Sequence, residues 1–162
     1  MLGINYRTRA MSDEIDARRL IIPGLAGLYQ TFAPYGYAFI RFCVGAFLIP
    51  HGYTKLFQGA APAAAGMIAK LGMEPALGWA YFLGCVEFIG GVLLALGLLT
   101  RLAAAALIIE FAVIVFFVKS ANGFFAFRQG FEFELLWGLL CLVIFFKGGG
   151  RYSLDRLIGK EL

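Results

Sequence analysis

A single histidine in 162 residues, with three cysteines scattered singly at Cys43, Cys85 and Cys141, leaves little for metal chemistry. A bis-histidine haem or a multi-histidine metal site within one subunit is excluded on ligand count. The cysteines form no C-x-x-C pair and no C-x-x-C-H haem attachment, so they read as small core residues. Neither a G-x-G-x-x-G fingerprint nor a phosphate-binding P-loop occurs, which leaves nucleotide chemistry without support. Charge is scarce too: Asp, Glu, Lys and Arg make up 15% of the chain against 61% apolar residues, and the mean hydropathy is +0.82. That is too little polar surface to coat a soluble globule, and it implies a lipid bilayer.

Apolar runs are what the chain has in abundance. A hydrocarbon core of about 30 Å needs about 20 apolar residues per helix, and four segments come near that length: 34–57, 76–99, 101–119 and 131–147. The expectation is an all-α protein, a four-transmembrane-helix bundle over 34–162 preceded by a cytoplasmic or interfacial segment over 1–33. Gly97, Thr100 and Arg101 divide the longest run into a tight hairpin. Residues 1–33 carry Arg7, Arg9, Asp13, Glu14, Asp16, Arg18 and Arg19 without the pattern of a signal peptide, so they are expected to be retained. The stretch 19–32, broken by Pro23, Gly24 and Gly27, is too short to span and is placed along the membrane surface. Basic residues favour the side of the termini and of the turn at Thr100 and Arg101, which predicts cytoplasmic termini in a bacterial inner membrane. The net charge of +4 suits anionic lipid headgroups; no basic cluster interleaved with aromatics points to nucleic acid.

Ionisable residues inside the spans carry the functional signal. Each costs about 2.5–3.5 kcal/mol facing lipid at mid-helix, on the scale for Arg, Lys or Asp, so they should face one another. Depth along the helices predicts an inner layer, a buried charge network of Arg41 with Glu87 or Glu110, and an outer layer of His51, Lys55, Glu132 and Glu134. Helical phase puts Arg41, Gly45, Leu48, Gly52 and Lys55 on one face and Gly84, Glu87 and Gly91 on another, with the glycines allowing close helix approach. In the stretch FLIPHGYTKLF, Pro50 frees the Ala46 carbonyl and Gly52 weakens the helix further. His51 is thereby expected to turn inward to meet Glu134, beside Tyr53 and beneath the phenylalanine-rich loop ANGFFAFRQGFEFE, with a short surface helix in 58–75 completing the roof. For these residues a ligand or proton role and a purely structural ion-pairing role both stay open.

Three motifs extend this reading: RFCVGAFLIPHGYTKLF at 41–57, VEFIGGVLLALGLLTRLAA at 86–104 and GGGRYSLDRLIG at 148–159. Together they resemble the DoxX family of small four-helix membrane proteins. The resemblance implies a subunit of a redox-linked membrane assembly, akin to the membrane subunit of a thiosulfate:quinone oxidoreductase, and supplies no complete catalytic set. On that reading a quinone or other amphiphile binds near the outer side of the bundle, with His51, Lys55, Glu132, Glu134 and Tyr53 as ligand or proton candidates. No cofactor and no metal is held by the chain itself, and electrons depend on other redox or membrane subunits. The alternatives are a non-catalytic structural or assembly subunit and a proton or small-solute transporter.

Overall fold

The computed structural model describes residues 16–160, and every regular element among them is helical. The described residues up to Gly36 form one unit and those from Tyr37 onward a second. The charges at Arg7, Arg9, Asp13 and Glu14 lie outside the described residues. In the first unit, single 3-10 turns at Ala17–Arg19 and Pro23–Leu25 lead into α1, Ala26–Phe57. α1 runs continuously through Pro34, so from Ala26 onward the stretch expected along the membrane surface and the first apolar run share one helix. One proline removes a single i→i−4 bond, and an apolar helix continues past it when both flanks keep theirs.

Among the described residues three helices are long and apolar enough to cross a membrane: Pro23–Phe57, Ala76–Leu96 and Thr100–Val118. The short helix α2, Ala61–Ala69, precedes α3, Ala76–Leu96. The hairpin after α3 forms where expected. Gly97 at φ 69° ends the helix, with the Gly97 amide on the Leu94 carbonyl and the Leu98 amide on that of Leu93, the paired bonds of a Schellman stop. α4, Thr100–Val113, then runs into a π-helical turn, Ile114–Val118. α5, Glu132–Lys147, has 16 residues, and a last short helix, α6, spans Leu154–Ile158.

One core joins α1, α3, α4 and α5, built from Val44, Leu48, Leu94, Leu107, Phe111, Cys141 and Ile144 around Ala103 and Ala104. The α1 to α3 contact is made by glycine. A methyl added at Gly91 would sit 2.8 Å from the Gly45 carbonyl oxygen, and one at Gly52 would sit 2.6 Å from that of Gly84. Backbone therefore meets backbone, the small-residue packing that substitutes for the hydrophobic effect between helices in lipid. Large apolar side chains such as Phe39, Phe47, Ile89, Phe116 and Phe146 are exposed, as lipid-facing residues should be.

Candidate functional site

The antiparallel register of α1 and α3 decides which charges meet. Gly45 lies against Gly91 and Ala95, and Gly52 against Gly84 and Phe88, so Arg41 falls level with the end of α3 and Lys55 is brought next to its middle. Arg41 accordingly donates to two backbone carbonyls, Leu94 at 2.8 Å and Tyr152 at 2.6 Å. The expected pairing of Arg41 with Glu87 or Glu110 does not form. Depth had been counted from Pro34 as the membrane entry, whereas α1 has no boundary there and the glycine contacts shift its register along α3.

Lys55 takes the place foreseen for Arg41. Its Nζ lies 2.6 Å from Glu87 Oε1 and 4.0 Å from Glu110 Oε1, all three side chains being largely buried. Gly84 makes this reachable, since a methyl there would come within 3.0 Å of Lys55 Cβ. The stem of Lys55 thus packs on bare backbone while its ammonium extends inward between the helices.

Above this cluster is a cavity of about 420 Å³, lined by Lys55 and Glu110 and, apart from Lys119, by apolar side chains that include Met67, Trp79, Phe82 and Ile109. The short helix α2 forms part of its wall through Ala64, Met67 and Ile68, anchored by Ala61 and Ile68 against Ala76 and Ala80 of α3. The π-helical turn supplies Ile114 and Val118. Such turns disturb the regular ladder and recur at functional sites. The size is that of a small-molecule site, mostly apolar with a few convergent polar groups.

The remaining sequence candidates lie elsewhere. His51 is exposed, and Glu134 Oε1 is held by Lys119 Nζ at 2.6 Å, so the expected meeting of His51 and Glu134 does not occur. The helix runs on through Pro50 to Phe57, which keeps His51 just outside the edge of the buried Leu48 and Gly52 stripe. Tyr53 is also exposed, its ring near those of Phe57 and Phe88. Glu132 accepts the Ala126 amide at 3.0 Å and closes the phenylalanine-rich loop on itself. That loop leaves Phe124, Phe125 and Phe127 exposed and contributes no lining to the cavity. Sequence reasoning missed Lys119, whose position at the end of a span resembled an ordinary interfacial anchor.

A second polar cluster sits beneath the α3–α4 turn. Asp155 accepts the Leu99 amide at 2.7 Å, the Thr100 amide at 3.0 Å and the Thr100 hydroxyl at 2.7 Å. α4 has no side-chain cap of its own, so this distant carboxylate satisfies its first free amides and faces the positive end of its dipole. Burial acts to raise the Asp155 carboxyl, but the Thr100 hydroxyl, the two amides and the nearby Arg41 charge together hold it below its ordinary value. Tyr152, three residues earlier, is where Arg41 docks. The C-terminal motif therefore clasps α1, α3 and α4 together.

Among the described residues no group of three or more His, Cys, Asp and Glu is placed to hold a metal ion. The model of the DoxX family matches residues 36–120, more than half of the chain. No curated protein matches, and no solved structure does. The matched span contains most of α1, all of α2, α3, α4 and the π-helical turn, and the residue after it, and so includes Lys55, Glu87, Glu110 and Lys119.

Proposed function

Because the chain belongs to the DoxX family, we propose that it is an integral membrane subunit that takes an amphiphilic ligand into the cavity beside α2, as part of a redox-linked assembly. The observation that carries this reading is the cavity itself, apolar throughout except where Lys55, Glu110 and Lys119 approach it. A bilayer-soluble ligand would lay its chain against Met67, Trp79 and Phe82 and bring its polar end to the charged floor. A quinone is the ligand class suggested by the family resemblance, its carbonyls accepting from Lys55 or Lys119. Electrons come from a partner subunit in this reading.

In the same proposal α5 is a fourth span and both termini are cytoplasmic. Its 16 residues extend about 24 Å, Cys141 and Ile144 enter the shared core, and Lys147 stands at the end assigned to the cytoplasm. A structural-subunit reading is supported by a different observation. The Lys55 to Glu87 pair and the Asp155 cap fix helix register without any ligand.

The test is titration of the full chain in lipid nanodiscs with a short-chain quinone. Saturable binding, lost in Ala106→Trp, which fills the cavity from α4, and retained in His51→Ala, is the expected result. Binding that survives Ala106→Trp would remove the cavity from consideration.

A further inference from the structure

The charged floor of the cavity is short of hydrogen-bond donors. Glu110 is 4% exposed, and neither of its carboxyl oxygens accepts a hydrogen bond. Glu87 Oε2 and Glu134 Oε2 are buried in the same condition. Each ammonium makes its short contact with another carboxylate, Lys55 with Glu87 Oε1 and Lys119 with Glu134 Oε1 at 2.6 Å, while Lys55 Nζ stays 4.0 Å from Glu110 Oε1, within ion-pair reach but beyond a hydrogen bond. Two cations thus serve three carboxylates, and the one left over is Glu110, which lines the cavity. A buried carboxylate without a donor is strongly unfavourable, and either a proton taken up at Glu110 or a ligand head that donates to it relieves this.

We propose that the cavity binds an amphiphile whose head is a monocation able to donate hydrogen bonds to Glu110, a primary alkylammonium being the simplest form. The inference rests on the amphiphile-binding reading above and narrows its ligand class. A head that only accepts hydrogen bonds leaves both Glu110 oxygens as they are, and an anionic head adds a fourth negative charge. The way in is from the lipid. Trp79, Phe82 and Ile109 line the cavity yet are 38%, 54% and 66% exposed, so its mouth lies on the apolar outer surface of α3 and α4. A chain buried there continues into the bilayer while the ammonium reaches Glu110.

The full chain in zwitterionic nanodiscs is titrated with decylamine, decanol, decanoic acid and a short-chain quinone, with empty nanodiscs subtracted. Decylamine should bind saturably and about ten-fold or more tighter than decanol, as a charge-assisted bond requires, and decanoic acid should not bind. Glu110→Gln should weaken decylamine by about ten-fold and leave decanol unchanged. Should Glu110→Gln fail to fold, Ala106→Trp serves instead, and retained decylamine affinity in it overturns the proposal. Equal binding of decanol and decylamine, or quinone binding without amine binding, overturns this inference and leaves the amphiphile reading standing. Absence of saturable binding by all four probes ends both.

Discussion

Asp155 Oδ2 accepts both the amide and the hydroxyl of Thr100, at 3.0 Å and 2.7 Å, from 55 residues further along the chain. Asp155→Ala should leave the first amides of α4 unsatisfied in a buried turn and cost about 1–3 kcal/mol. The pH dependence has a definite sign. The carboxyl is held below its ordinary value of 3.8, so its contribution is complete above that value and is lost as pH falls through the lowered one. Thermal melts in detergent should find Asp155→Asn less stable than wild type at about pH 6, with the gap closing only below about pH 4. A gap that persists unchanged into strong acid would contradict the assignment.

Two glycine substitutions should move stability in opposite directions. Gly52→Ala drives a methyl into the backbone of Gly84 and Phe88, which neither helix can relieve without separating, so a loss of about 1–3 kcal/mol or more is expected. Gly66 lies inside α2 with nothing within 4 Å of an added methyl. Gly66→Ala should gain up to about 1 kcal/mol from helix propensity. Melting temperatures of the two variants in one detergent decide the matter, and a Gly52→Ala protein as stable as wild type would mean the helices are not in backbone contact.

The contrast shows what sequence could convey. Phase along α1 correctly put Arg41, Gly45, Leu48 and Gly52 on a buried face, because a 3.6-residue period is a local property. Register between helices is not local. It was set by which glycine met which, and this put Lys55 rather than Arg41 beside Glu87 and Glu110, leaving Arg41 on the Leu94 and Tyr152 carbonyls. His51 drew attention as a lone ionisable residue after a proline, yet its phase had already placed it at the edge of the buried stripe. The cavity was less legible still: Ala64, Met67 and Ile68 of α2, Trp79, Phe82 and Val86 of α3, and Ala106, Ile109 and Glu110 of α4 line it at ordinary helical spacing, which locally looks the same as a packed or lipid-facing stripe. Asp155 was quoted within a motif, but no sequence rule links it to an α-helix that starts 55 residues earlier.

The fourth span is tested by labelling. If α5 crosses the membrane, Gly123, in the loop before it, and Leu157, in the helix after it, lie on opposite sides. Single cysteines at these exposed positions, in a background lacking Cys43, Cys85 and Cys141, should differ in reaction with a membrane-impermeant maleimide on intact cells: Gly123→Cys labels and Leu157→Cys does not. Labelling of both would place the two loops together and make α5 a helix that enters and returns.

The strongest test of the buried cluster is Lys55. Its ammonium is 2.6 Å from Glu87 and 4.0 Å from Glu110. Lys55→Leu should strand two buried carboxyl groups and weaken the fold by about 3–5 kcal/mol, the usual effect of removing one partner from a buried pair. Replacing all three by leucine should recover most of that loss, because apolar side chains of similar volume carry no desolvation penalty. The distances also rank the couplings. Double-mutant cycles in detergent should give a larger interaction energy for Lys55 with Glu87 than for Lys55 with Glu110. A Lys55→Leu protein within about 0.5 kcal/mol of wild type would show the cluster to be energetically idle. Equal couplings would mean that the ammonium is shared evenly, which would supply Glu110 with the donor that the cavity is here held to lack.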